Sequence, residues 1–242
     1  MTVLVMVFVV FLAGAISGLA GFGSAIVSVP VLMVLMPPKT VVPLVQLISS
    51  TIHVFVLADA WKALNLRRIW PLIVAGVSSV PLGTCILLLL DASTLRLLVG
   101  VTVVLCALAM FLGFQRPVRR ERLMLVLVGL LSGALNGSTG MGGPPVILFL
   151  TNQDVEKQSF RVNLIFYFAC LGVVSLISQY VGGLLTSEVM KNWLMLAPVA
   201  ALGTWTGIKL SKRTDQQRFR QITLGILMVT GASAIASSLG LF

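Results

Sequence analysis

The chain has 242 residues, of which 58% are hydrophobic and only 10% are charged. Soluble domains average roughly 45–50% apolar and 25% charged residues, so this composition excludes an ordinary globular protein. The net charge of +10 comes from Lys and Arg in short gaps between apolar stretches, without a continuous basic stripe, and does not indicate a nucleic-acid partner. The sequence predicts an all-α polytopic membrane protein surrounded by membrane lipid.

Eight apolar blocks follow one another along the chain, at about 3–36, 41–58, 69–90, 94–113, 123–152, 162–182, 192–210 and 221–242. Six of them are close to the ~20 residues that a membrane-spanning helix needs. The first and fifth blocks are longer, and each contains a cluster of glycines of the density that stops a helix. We therefore expect a broken helix in each, at Gly14, Gly18, Gly21 and Gly23 and at Gly133, Gly137, Gly140, Gly142 and Gly143.

The two glycine clusters form an internal repeat. An offset of 119 aligns Gly14 with Gly133 and Gly23 with Gly142, and an offset of 120 aligns 82–84 with 202–204, both Leu-Gly-Thr. The duplication predicts one membrane domain, 1–242, made of a first repeat at 1–114 and a second repeat at 122–242. A basic cytoplasmic linker, 115–121, joins them.

The distribution of Lys and Arg decides how the broken blocks cross the membrane, because cytoplasmic loops collect positive charge. If all eight blocks cross once, nine cations face eight; if the broken blocks are hairpins, fourteen face three. The asymmetry favours two inverted repeats, each a broken or re-entrant helical hairpin plus three transmembrane helices, with both termini on the non-cytoplasmic side. Kinked spans in a parallel repeat are the alternative.

The glycine breaks also predict an anion site. Irregular backbone at membrane depth must face protein or a wet cavity, and a helix that starts there exposes unpaired N–H groups that attract anions. We expect the two breaks to converge on one small anionic substrate, although glycines can also serve only close helix packing. The candidate substrate-binding residues at the breaks are Gly21, Gly23, Ser24, Asn136, Ser138, Thr139, Gly140, Gly142 and Gly143.

A polar stripe follows each hairpin. Gln46, Ser49, Ser50 and His53 are spaced i, i+3, i+4, i+7 and share one helix face, and an offset of 117 gives 163, 166, 167 and 170 the same spacing. Such stripes line cavities or hold helices together by hydrogen bonds. From the stripes and their edge we add these candidate substrate-binding residues: Gln46, Ser50, His53, Arg161, Asn163 and Tyr167.

His53 is the only histidine in the chain, and it is predicted to lie well inside a span. Imidazole changes its charge near working pH, so His53 is a candidate carrier of a coupled proton. A neutral, hydrogen-bonded structural histidine is the alternative. Arg161 is expected to attract anions at the cytoplasmic mouth or to anchor its helix at the membrane interface.

These segments resemble a known family. The glycine-rich stretches 14–30 and 133–145, and Phe160-Arg-Val-Asn163 with the aromatic apolar helix after it, are similar to the sulfite exporter (TauE/SafE) family of membrane transporters over essentially the whole chain. The resemblance implies a multi-pass protein of the cell inner (plasma) membrane that moves sulfur-containing anions, driven by an ion gradient. The positions that match the family's motif are Gly21, Gly23, Gly140, Gly142, Gly143 and Pro144.

The chemistry-bearing motifs of other classes are absent from the sequence. There is no phosphate-binding Gly-x-x-x-x-Gly-Lys-[Ser/Thr] loop for ATP, no Cys-x-x-Cys spacing for metal, and no motif around His53 for a serine nucleophile. We therefore predict no enzyme activity, no catalytic residues, no cofactor and no metal site. The prediction is a secondary transporter with alternating access around a midplane site between the two glycine-broken helices. The alternative is a passive anion channel or an accessory membrane subunit of a larger complex.

Overall fold

The computed structural model describes residues 2–64, 66–111, 121–151 and 157–215, and all regular structure in these ranges is helical. The last predicted block, 221–242, and nearly all of the linker lie outside the described residues. A single 3-10 turn, Trp61–Ala63, follows the third helix. The helices are α1 (Thr2–Ala20), α2 (Ser24–Leu35), α3 (Pro38–Ala60), α4 (Leu66–Leu89), α5 (Ala92–Phe111), α6 (Glu121–Thr139), α7 (Gly143–Thr151), α8 (Lys157–Val181) and α9 (Ser187–Arg213).

Six helices of the described ranges are long and apolar enough to cross a membrane: α1, α3, α4, α6, α8 and α9. The 19 residues of α1 and of α6 correspond to about 28 Å of helix, close to the ~30 Å of a bilayer core. The second arms are much shorter, with 12 residues in α2 and 9 in α7. The chain is an all-α, multi-pass membrane protein, as the composition predicts.

The chain reverses between α1 and α2 and again between α6 and α7. Gly21, Gly23 and Gly140 have φ angles of 85°, 104° and 74°, which residues with a side chain rarely adopt. A Cβ on Gly23 would lie 2.8 Å from Ile16 Cγ2, and Ser132 Oγ donates to the Gly142 carbonyl at 2.5 Å. A continuing helix would separate each of these pairs by roughly 10 Å or more. Each short helix therefore turns back alongside the long helix before it.

The earlier glycines of each cluster do not break the helices, which corrects one expectation. Gly14 and Gly18 lie inside α1, and Gly133 and Gly137 lie inside α6. One glycine costs an apolar helix only about 1 kcal/mol, and close packing against a neighbouring helix offsets that cost. The clusters thus have two parts, of which only the later glycines form the turns.

The early glycines let the two halves of the chain interlock. α1 packs closely on α9, where a Cβ on Gly14 would lie 2.6 Å from the Ala200 carbonyl oxygen, and α6 packs closely on α4, with Gly133 against the backbone of Gly76. Along α9, Gly203 meets Phe11 and Gly207 meets Ala15, so α1 and α9 run in the same direction. The tightest helix pairs of the described fold therefore each join a helix of one half to a helix of the other.

Charged residues at the helix ends show the relative directions of α3, α8 and α9. Asp59, at the end of α3, lies 3.3 Å from Arg161 at the start of α8 and 2.5 Å from Lys212 at the end of α9. Accordingly α3 and α9 are parallel, and α8 is antiparallel to both. Because α1 is parallel to α9, α1 and α3 point the same way with α2 returning between them. These directions are compatible with inverted halves, and the inversion itself stays a prediction.

Candidate functional site

A cavity of about 30 Å³ lies between the two glycine turns. It has room for one or two molecules the size of water and is too small for a bulky organic molecule. Both hairpins and helices α3 and α8 contribute to its wall. The residues that line it are Phe22, Gly23, Ser24, Ala25, Ile26, Gln46, Ser49, His53, Asn136, Gly140, Gly142, Gly143 and Phe168.

The N-terminus of α2 opens into this cavity. Its N-cap is Gly23, which has no side chain to cap the helix, and the first intrahelical bond runs from the Val27 N–H to the Gly23 carbonyl at 3.0 Å. The N–H groups of Ser24, Ala25 and Ile26 have no acceptor within the helix, and all three residues line the cavity. A helix end of this kind carries roughly half a positive charge and favours a negative ligand.

The N-terminus of α7 faces the same cavity but offers fewer donors. Gly143 lines the wall, whereas the next two residues, Pro144 and Pro145, have no N–H. Proline suits the first turn of a helix because its φ angle is already helical. The two helix ends are therefore not chemically equivalent, and α2 supplies most of the backbone donors.

Neutral polar side chains complete the wall. Ser24 Oγ and Ser49 Oγ lie 3.0 Å apart, and Asn136 Nδ2 donates to Ser175 Oγ at 2.8 Å and reaches Gln46 Oε1 at 3.5 Å. Because the side-chain carbonyl oxygen of Gln46 accepts from Asn136, the Gln46 amide group retains its own N–H donors. No Asp or Glu is among the lining residues. The cavity is therefore rich in hydrogen-bond donors and contains no fixed negative charge.

His53 is the one titratable side chain in the cavity wall described above. Its ring stacks on Phe168, with centroids 6.4 Å apart and planes 22° apart, and its Nδ1 atom is buried without a hydrogen-bond partner. Buried ring nitrogens normally have a partner. The structure therefore leaves one ring nitrogen of His53 free to face a ligand, and whether this histidine is structural or carries a proton stays a prediction.

Eight of the predicted binding residues line the cavity: Gly23, Ser24, Gln46, His53, Asn136, Gly140, Gly142 and Gly143. The structure places the other seven outside its lining: Gly21, Ser50, Ser138, Thr139, Arg161, Asn163 and Tyr167. The three Ser and Thr hydroxyls among them donate to carbonyls of their own helices, Ser50 to Gln46, Ser138 to Ala134 and Thr139 to Leu135, at 2.7–2.9 Å.

The aromatic residue of α8 at the cavity is Phe168, not the predicted Tyr167. A Cβ on Gly76 would lie 2.5 Å from the Tyr167 hydroxyl, so Tyr167 points toward α4. Phe168 is the next residue along the helix and therefore projects about 100° away, between His53 and Gly143. Sequence reasoning also left out Phe22, Ala25, Ile26 and Ser49 as binding residues, although Phe22 stands between two predicted glycines and Ser49 belongs to the polar stripe.

Metal-binding side chains do not gather in the part of the chain that the structure describes, where no group of three or more His, Cys, Asp or Glu residues lies close enough to hold an ion. The donors at the cavity are amides, hydroxyls and backbone N–H groups, which suit an anion.

Comparison with known proteins agrees with this picture. The family model described as Sulfite exporter TauE/SafE matches residues 6–234. A relative from Cupriavidus necator, described as a probable sulfite/organosulfonate exporter TauE, is 24% identical over 217 residues, which cover 88% of this chain and 85% of the relative. No solved structure matches the chain. Because the family match covers nearly the whole sequence, the chain belongs to the sulfite exporter TauE/SafE family and is a membrane transporter, not an enzyme.

Proposed function

We propose that this protein is a secondary transporter of a small sulfur oxyanion, such as sulfite or an organosulfonate, and that the cavity between the glycine turns is its substrate site. The observation that carries the proposal is the convergence of both hairpin turns on one small, donor-rich cavity without a carboxylate. The relative described as a probable sulfite/organosulfonate exporter supports the choice of substrate.

The cavity chemistry suits a sulfur oxyanion. Its oxygens accept hydrogen bonds from the open N–H groups of α2, from the hydroxyl proton that the Ser24–Ser49 pair keeps free and from the Gln46 amide, whereas the two Asn136 N–H groups are held by Ser175 and Gln46. Hydrogen bonds to a charged acceptor are about twice as strong as neutral ones, which offsets the loss of water around the anion. Neutral donors also bind an anion more weakly than a positively charged side chain does. This suits a transporter, which must release its substrate.

The two helix pairs that join the halves of the chain provide the moving units for alternating access. α1 packs on α9 and α6 packs on α4, so each hairpin is attached to a helix of the other half. Rocking one pair against the other around the cavity opens it first to one side and then to the opposite side, as in other repeat-based transporters. The substrate stays between the two glycine turns while the access path changes.

His53 is the proposed carrier of the coupled proton. Its imidazole lines the cavity, and its buried Nδ1 atom has no partner. A proton on His53 places a positive charge beside the bound anion and strengthens its binding, and by linkage the anion strengthens proton binding equally. Release of both on the other side of the membrane couples anion movement to the proton gradient.

The proposed setting is the cell inner membrane, with the second half inverted relative to the first and both termini on the non-cytoplasmic side. Two observations support the inversion and the side of the termini: the fourteen-to-three distribution of Lys and Arg and the helix directions at the shared Asp59 contacts.

The test is uptake of radiolabelled sulfite by proteoliposomes that contain the purified full-length chain. We expect saturable uptake that speeds up when unlabelled sulfite is present on the opposite side, because a carrier with alternating access exchanges substrate. Linear uptake without such acceleration would indicate a passive channel. Absence of uptake of sulfite and of methanesulfonate would indicate an accessory subunit and would contradict the proposal.

A further inference from the structure

Arg161 is a fully buried cation that lies beside the candidate cavity without lining it. Its side chain is in the first turns of α8 and has no exposed surface. A Cβ on Gly21 would lie within 3.0 Å of the Cα, Cγ and carbonyl oxygen of Arg161, so the first glycine turn packs directly on this residue. Gly23, two residues further along the same turn, lines the cavity. Only one turn of backbone therefore separates Arg161 from the proposed substrate site.

One edge of the Arg161 guanidinium has no partner. Its Nη1 atom contacts Asp59 Oδ2 at 3.3 Å, whereas Nε and Nη2 are buried without a hydrogen bond. Nε and Nη2 form the side-on edge of the guanidinium plane, whose two parallel N–H groups match two oxygens of one oxyanion. A buried charged group is costly unless it is paired, so this edge is poised to receive an anion.

Asp59 neutralises Arg161 only in part, because the carboxylate is shared. Lys212 Nζ lies 2.5 Å from Asp59 Oδ1, a shorter contact than the one from Arg161. The cluster of Arg161, Asp59 and Lys212 thus has two cations and one anion. Lys212 is 60% exposed and Asp59 17% exposed, so the cluster leads from the surface at the ends of α3 and α9 to the buried guanidinium.

We propose that the Nε/Nη2 edge of Arg161 is a second oxyanion subsite, through which the substrate passes between the Lys212 surface and the central cavity. Asp59 is the internal competitor: it holds the guanidinium when the subsite is empty and is displaced toward Lys212 when an oxyanion binds. The inference rests on the proposed function. It adds a second binding site to the transport pathway and identifies Asp59 and Lys212 as residues that set the affinity of that site.

Two substitutions with opposite expected effects on the Asp59–Arg161 contact test this assignment. Asp59→Asn removes the competing charge, so we expect the KM for sulfite uptake to fall about tenfold and the maximal rate to fall with it, because release slows. Lys212→Gln removes the partner that draws Asp59 away, so Asp59 binds Arg161 more tightly and KM rises, about two- to fivefold for a surface ion pair. Lys209→Gln is the control. Lys209 is exposed and lies over Trp205, so this substitution removes the same charge from the same helix end.

Opposite changes in KM are the result that a purely structural ion pair does not produce. If Asp59→Asn and Lys212→Gln leave KM unchanged, or shift it in the same direction, in proteins with wild-type melting temperatures, the subsite assignment is wrong. If Asp59→Asn does not fold, Lys212→Gln against Lys209→Gln decides alone, because both are surface changes. A wild-type protein without sulfite or sulfonate uptake would instead contradict the proposed function, which separates the two failures.

Discussion

Asn136 of the second hairpin meets Gln46 of α3 across the cavity, with 3.5 Å between Asn136 Nδ2 and Gln46 Oε1. Asn136 also donates to Ser175 of α8 at 2.8 Å, so one buried amide connects three helices at the proposed substrate site. This arrangement orients the Gln46 amide and makes the position sensitive to charge as well as to shape.

Asn136→Asp keeps the size of the side chain and replaces donors by negative charge. A carboxylate about 4 Å from the substrate repels an anion by roughly 4 kcal/mol at an effective dielectric constant of 20, so we expect the KM for sulfite to rise at least tenfold. The measurement is initial-rate uptake in proteoliposomes at several sulfite concentrations. Asn192→Asp, at the half-buried start of α9, is the matched control and should leave KM within twofold. Equal effects of the two substitutions would remove Asn136 from the site.

Comparison of Gly140→Ala with Gly183→Ala distinguishes the cost of a strained backbone from the effect of a change at the cavity. Gly140 has φ of 74° and lines the cavity, whereas Gly183 has φ of 70° and a Cβ added there would meet no atom within 4 Å. Alanine costs roughly 1–2 kcal/mol at either position, because both demand a left-handed backbone. We expect similar melting temperatures for the two variants and a several-fold loss of sulfite uptake only for Gly140→Ala. Matching uptake in both variants would show that the second turn is not part of the site.

The interlocking glycines predict large effects on stability. A Cβ on Gly207 would overlap the backbone of Ala15, and backbone cannot move aside cheaply, so Gly207→Ala should separate α9 from α1 and lower the melting temperature by several degrees. Gly100 has open space around it inside α5, where alanine is the better helix former. Gly100→Ala should therefore leave the melting temperature unchanged or raise it. A thermal shift assay in detergent measures both, and equal melting temperatures would contradict the packing argument.

Hydropathy and glycine spacing were enough to predict the helices of the described ranges and the approximate positions of both turns, although only the later glycines of each cluster form them, because lipid leaves a backbone few alternatives. The polar stripe at Gln46 and His53 also identified one cavity wall. The face of α8 was not predictable, since one residue rotates a helix by about 100° and the repeat offset drifts between 117 and 120, which exchanged Tyr167 for Phe168. Local hydroxyl bonds, as at Ser138, leave no trace in the residue pattern.

The hairpin arrangement predicts which lysines face the same compartment. Lys39 precedes most of α3, Lys62 follows it, and Lys191 lies in the first turns of α9, which is parallel to α3. Single cysteines at these positions, in a variant without the three native cysteines, should react with an impermeant maleimide from outside at 39 and 191 and only from the cytoplasm at 62. If all eight apolar blocks crossed once, 39 and 191 would label from opposite sides. That outcome would exclude re-entrant hairpins.

His53→Gln removes the titratable group from the cavity and keeps a polar side chain of similar size. Transport coupled through His53 should then no longer respond to an imposed pH gradient, because no proton can be carried with the anion. Exchange of labelled for unlabelled sulfite without a gradient needs no net proton movement and should persist, with a KM within a few-fold of wild type. Both rates are measured in the same proteoliposomes, so loss of folding would abolish both and is distinguishable from loss of coupling. An undiminished response to the gradient would assign the proton to another group and leave the unpartnered Nδ1 atom of His53 without a role in transport.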